Sequence, residues 1–113
     1  MSDRLPSKIL VSALVRRVGQ AGGFATIIAR GEDMGGAIIV QLEDRGSYRG
    51  LLERTVDWDD KAKLIPCGPP VGADSFAVSE YIERRRANDP DLWVVELDIA
   101  DGERFAAETI AIG

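Results

Sequence analysis

Gly-Ala-Ile-Ile-Val-Gln-Leu-Glu, residues 36–43, is apolar at nearly every position. A strand with one wet face alternates apolar and polar residues, whereas a strand inside a sheet is apolar almost throughout. Residues 36–43 therefore predict a central strand, and the flanking sequence must supply its neighbours. Upstream, Phe-Ala-Thr-Ile-Ile-Ala-Arg (24–30) is rich in β-formers and too short for a stable helix. A glycine-bearing turn, 31–35, joins it to the central strand. Downstream, Asp44-Arg45-Gly46 predicts another turn and Tyr48–Val56 a third strand. After a turn at Asp57–Asp60, Lys61–Pro66 has the marks of an edge strand. Lys61 and Lys63 point to one side, and Pro66 has no N–H to give to a neighbour. Short links between all four favour an antiparallel meander.

Helical periodicity lies on either side of this block. Leu10, Leu14, Val18 and Ala21 recur at helical spacing with Val11 beside them, which predicts a helix over 7–21. Lys8, Ser12 and Arg16 fall on its other side, and Gly22-Gly23 suits a left-handed stop. Asp74 is placed to cap a second helix over 75–87, whose stripe is Ala77, Val78, Tyr81, Ile82 and the stem of Arg85. Pro90 ends it near Asp89. Leu92–Ile99 is the clearest strand: Trp93, Val95 and Leu97 alternate with Val94, Glu96 and Asp98. The tail, 103–112, is compatible with a returning strand or a helical turn. The expected fold is one α+β domain spanning 1–113, ordered α-β-β-β-β-α-β. Its single antiparallel sheet comprises a meander of about four strands plus a later strand. Each predicted helix has one apolar stripe, so both are expected on one sheet face.

The bulk properties narrow the function classes. At 113 residues, with 45% hydrophobic and 29% charged residues, the chain can bury a core without a disulfide or a metal. It contains no histidine, which removes Ser-His-Asp and Cys-His catalysis within one chain, histidine metal ligation and imidazole proton transfer. Cys67 is the single cysteine, in keeping with a reducing, cytoplasmic compartment. No stretch approaches the ~20 apolar residues that cross a bilayer. The run Ile9–Val15 meets Arg16-Arg17 without a small-residue cleavage site, so no signal peptide is expected. Residues 1–23 hold four basic residues and one acidic, +3; the other ten basic and eighteen acidic residues give −8, for a net charge of −5. That balance disfavours nucleic acid, despite the basic first helix.

Three stretches carry a family resemblance. They are Val-Ser-Ala-Leu-Val-Arg-Arg (11–17), Phe-Ala-Thr-Ile-Ile-Ala-Arg-Gly-Glu-Asp-Met-Gly-Gly-Ala-Ile-Ile-Val (24–40) and Tyr-Ile-Glu-Arg-Arg-Arg-Ala-Asn-Asp-Pro-Asp-Leu-Trp-Val-Val-Glu (81–96). Together they resemble a small alphaproteobacterial family known only as a domain of unknown function, most strongly over 89–96. The resemblance implies a cytosolic bacterial protein of about this length and carries over no catalytic or binding residue. Residues 61–73 lie outside it.

Several residues are candidates for chemistry, each with a plainer reading. Asp57, Asp59 and Asp60 crowd one turn and are candidate ligands for Ca²⁺ or Mg²⁺. They lack the glycine and distant glutamate of an EF-hand loop, so a solvated acidic turn is the simpler account. Trp58, among them, is a candidate partner contact if exposed. Arg84 and Arg86 are candidate phosphate or partner contacts. The 84–86 run nevertheless spreads around the helix at about 100° per residue, and a helix C-terminus favours cations in any case. Cys67 lacks a nearby base and reads as a packed or merely exposed thiol. Gly19–Phe24 closes a helix rather than opening one, the wrong polarity for a phosphate loop. The reading favoured is a non-enzymatic interaction module with no cofactor, whose partner is another protein or a second copy of itself. Its rival is a small ligand-binding, metal-binding or hydrolytic domain using the Asp57–Asp60 carboxylates.

Overall fold

A computed structural model describes residues 5–111. Its elements are α1 (Ser7–Gln20), β1 (Phe24–Ala29), β2 (Ile38–Asp44), β3 (Ser47–Val56), β4 (Ala62–Cys67), α2 (Ser75–Asn88), β5 (Trp93–Asp98) and α3 (Gly102–Ile110). The α+β class, the single sheet and the order of the predicted elements all hold, and the tail resolves as the helix α3. The α1 stop is as expected: Gly22 has φ of 88°, and the Gly23 N–H donates to the Val18 carbonyl at 3.0 Å.

Two details differ from the sequence expectation. The strand order is β1-β5-β2-β3-β4, so the meander has three strands rather than four. The strand β5 enters between β1 and β2, antiparallel to β1 and parallel to β2. A parallel pairing needs a crossover, and α2 supplies it, carrying the chain from the β4 edge past β3 and β2.

The second difference concerns the helices, which do not share a face. On one side α1 and α3 pack together over Ile38, Val40, Leu42, Leu52, Trp93, Val95 and Leu97. On the other side Val78 and Ile82 of α2 pack over Ile39, Leu51, Val94, Ala29 and Leu92. The reason is visible in β2 and β5. Ile38-Ile39-Val40 and Trp93-Val94-Val95 are buried at successive residues, so each strand presents apolar surface to both faces. One helical layer cannot cover both, and the molecule becomes a three-layer stack with β2 and β5 at its centre.

Polar links pin the layers. Arg17 donates to Thr109 Oγ1 at 2.8 Å and Glu108 Oε1 at 3.0 Å, joining α1 to α3. Arg54 of β3 donates to the carbonyl of Ile110, satisfying a group at the end of α3. The Asp74 carboxylate accepts the Ala77 N–H at 2.8 Å, the expected cap of α2. Trp93, fully buried, donates its indole N–H to the Glu32 carbonyl at 2.7 Å, and the β1–β2 connector closes round it. A Cβ at Gly36 would meet the Asp91 carbonyl oxygen at 2.1 Å, so only glycine allows this approach.

Candidate functional site

The two borders of the sheet are unlike each other. Along β4, Lys63 and Pro66 sit where a neighbouring strand would dock, as the sequence suggested. A lysine would be desolvated by a new strand and a proline has no N–H to offer, so both deter pairing. The β1 border, Phe-Ala-Thr-Ile-Ile-Ala, has no charge and no proline. Phe24 is 76% exposed, Ile28 45% and Ile27 42%. Its one irregularity is a bulge where the register with β5 shifts between Ile27 and Ala29. Phe24 lies opposite Asp98, and Ile27 opposite Val95, so apolar side chains reach both faces of this border. A row of backbone donors and acceptors flanked by exposed apolar side chains can add a strand from another chain.

Under α2 lies a polar cluster. Arg85 makes a two-pronged ion pair with Glu53 of β3, Nη1–Oε1 at 3.0 Å and Nη2–Oε2 at 2.7 Å, and Nη1 also donates to the Tyr81 hydroxyl at 2.8 Å. The hydrogen bonds to Glu53 push the Arg85 guanidinium further up, so it stays charged. Burial pushes the Cys67 thiol up, and the Tyr81 hydroxyl only partly opposes this. A thiol held protonated is a poor nucleophile, which agrees with the packed-thiol reading. Burial likewise raises Tyr81, and also Tyr48, whose hydroxyl donates to the Pro69 carbonyl at 2.6 Å.

A second polar group follows from the parallel pairing, which places Gln41 opposite Glu96 and Glu43 opposite Asp98. The Gln41 amide donates to Glu43 Oε2 at 2.8 Å and Glu96 Oε2 at 3.4 Å. Burial, then the Glu43 carboxylate, then Asp98 raise the Glu96 carboxyl above its ordinary value. Asp98 is held by the Arg45 and Gly46 N–H groups at 2.7 and 3.0 Å. Glu43, Glu96, Tyr48 and Ser75 line a cleft of about 430 Å³ beside the start of α2. Another cleft, of about 390 Å³, is apolar apart from Arg49 and Glu103. The sequence hid the Gln41–Glu96 contact because nothing local in β2 or β5 says that they pair.

The residues singled out from sequence fall elsewhere. Asp57 Oδ1 accepts the N–H groups of Asp59 and Lys61, both at 3.0 Å, so its carboxylate builds the β3–β4 turn. Asp60 takes the left-handed conformation at φ 63°. Asp57, Asp59 and Asp60 do not form a metal-holding set: among the described residues, no group of three or more His, Cys, Asp or Glu is placed to hold a metal ion. Trp58 at that turn is 94% exposed. Arg84 reaches Glu80 at 3.3 Å along the surface of α2, and Arg86 is also exposed. Neither joins the Arg85 cluster, since neighbouring residues on a helix point apart. Among the described residues no helix is long and apolar enough to cross a membrane.

A solved DUF1491 family protein from Caulobacter crescentus CB15 superposes with a TM-score of 0.76 at 32% identity, covering 89% of this chain and 94% of that one. An NMR structure of a DUF1491 family protein from the same organism gives 0.75 at 33%, covering 92% and 94%. The solution structure of protein Atu0922 from A. tumefaciens gives 0.69 at 31%, covering 87% and 88%. No curated protein matches the chain. The family model described as "Protein of unknown function (DUF1491)" matches residues 5–107, and the chain belongs to that family.

Proposed function

We propose that this domain is a non-enzymatic interaction module that takes up a protein partner by strand addition at β1. The supporting observation is the contrast between the borders: β4 carries a lysine and a proline, and β1 carries neither while exposing Phe24, Ile27 and Ile28. The groups with reactive potential lean the same way. The sequence has no histidine, and the Cys67 thiol is raised rather than lowered. Trp58 is a second contact point in this reading, and Arg84 and Arg86 offer charge to a partner that extends over α2. The lone cysteine supports a reducing, cytoplasmic setting. The net charge of −5 weighs against nucleic acid as the partner.

A photo-reactive amino acid at position 28, in the full chain in living cells, tests the reading directly. Illumination should give discrete adducts from position 28 that are absent when the same group replaces Ile65 on β4. Equal adduct formation at both positions, or none at either, contradicts the use of β1 as the docking border.

A further inference from the structure

Resting on that reading of β1, we propose that its occupant is the β1 strand of a second copy. The two would run antiparallel about a two-fold axis and join two five-stranded sheets into one of ten. Closure is the first reason. Each copy has one open border and one deterred border, so pairing β1 with β1 consumes every open edge and leaves a β4 at each end. An isologous contact of this kind stops at two copies and does not propagate into a fibre.

Charge is the second reason. Two chains of net −5 repel, and the least costly line of approach is one that carries no charge. Residues 24–29 are such a line. The next residue is Arg30, and in an antiparallel pair each Arg30 lies beyond the Phe24 end of the other strand. The two arginines are then about seven residues apart along the seam, roughly 23 Å. That exceeds the ~8 Å screening length at physiological salt, so they do not oppose pairing. The same geometry sets Phe24 of each copy against the 28–29 end of the other, covering the most exposed apolar residue of the strand at both ends of the seam.

The seam is six residues long and twisted by its bulge, so a small, dissociable interface is expected. Light scattering and sedimentation on the purified full chain, from roughly 1 µM to about 1 mM, should show the mass rising from 12.3 kDa toward twice that value. Added salt should strengthen the association, because it screens the repulsion between acidic chains. Ile28→Lys should keep the chain monomeric over this range, and Ile65→Lys on β4 should leave the association as in the parent. If Ile28→Lys proves unfolded by circular dichroism, the parent alone decides: β1 amides must become slower to exchange as concentration rises. A strict monomer at about 1 mM, or a dimer that persists in folded Ile28→Lys, overturns the proposal. A monomer whose position 28 still cross-links to a different protein in cells rejects the second copy and leaves the docking border standing. A monomer with no adduct at all removes both.

Discussion

Replacing Arg85 tests the placement of α2, the element whose position the sequence did not foretell. Its guanidinium holds Glu53 through two hydrogen bonds at 3.0 and 2.7 Å, and the two side chains are 27% and 25% exposed. An exposed ion pair contributes roughly 0–1 kcal/mol, and breaking a fully buried one costs about 3–5 kcal/mol. This pair is three-quarters buried and doubly bonded, so Arg85→Met should cost about 2–3 kcal/mol, with the stranded Glu53 carboxylate as the main penalty. Glu53→Gln keeps an acceptor for Arg85 and should cost about 1 kcal/mol. The double variant strands no charge and should lose about 2 kcal/mol, less than the sum of the two, for a coupling of about 1–2 kcal/mol. Urea unfolding of the four proteins gives these differences from the midpoints, provided the slopes agree. Because the pair is about three-quarters buried, the coupling should fall only slightly between low and high salt. Additive single effects, with a coupling under about 0.3 kcal/mol, would mean that Arg85 and Glu53 do not meet and that α2 does not lie across β3 as described.

Two further perturbations reach other parts of the molecule. Glu96 has a raised carboxyl, so the native chain keeps its proton at pH values where the unfolded chain has lost it. The stability it contributes is therefore present below the ordinary carboxylate range and is lost as pH rises through the raised value. Glu96→Gln should raise the Tm near pH 7 and leave it almost unchanged near pH 4, and a difference that fails to grow between those values contradicts the assignment. Trp93→Phe removes the indole donor to Glu32 and leaves a small void, costing about 2–3 kcal/mol, or a Tm fall of about 8–13 °C in a chain of this length. A loss under about 1 kcal/mol by calorimetry would show that the β1–β2 connector does not close on this ring.

Local patterns were legible in the sequence and partnerships between strands were not. The stripe Val78, Tyr81, Ile82 and Arg85 on α2, the Asp74 cap, the Gly22 stop, the buried Trp93 and the β4 border with Lys63 and Pro66 each follow from a few neighbouring residues. The pairing of β5 with β1 and β2 joins segments some fifty to seventy residues apart, which no local period encodes. The continuous apolar run Ile38-Ile39-Val40 predicts a central strand, but its coverage on both faces goes beyond that expectation, since one stripe per helix argues only for a single layer. With α3 undecided, the layer opposite α2 was one element short. The candidate site followed the same division. Trp58, Arg84 and Arg86 stand out by residue type and are exposed, whereas the open border β1 appears only once β5 is known to lie on its inner side. Glu96 beside Glu43 and Arg85 beside Glu53 are likewise products of topology.

The most direct measurement of the docking border is the amide spectrum of the isotopically labelled full chain, first dilute in buffer, then at about 1 mM and, separately, in concentrated unlabelled extract of its host. The account predicts that signals of residues 24–29 shift or broaden in at least one of the two crowded samples and that those of 62–67 hold their positions in both. Unchanged signals along β1, or equal changes along both borders, would contradict it.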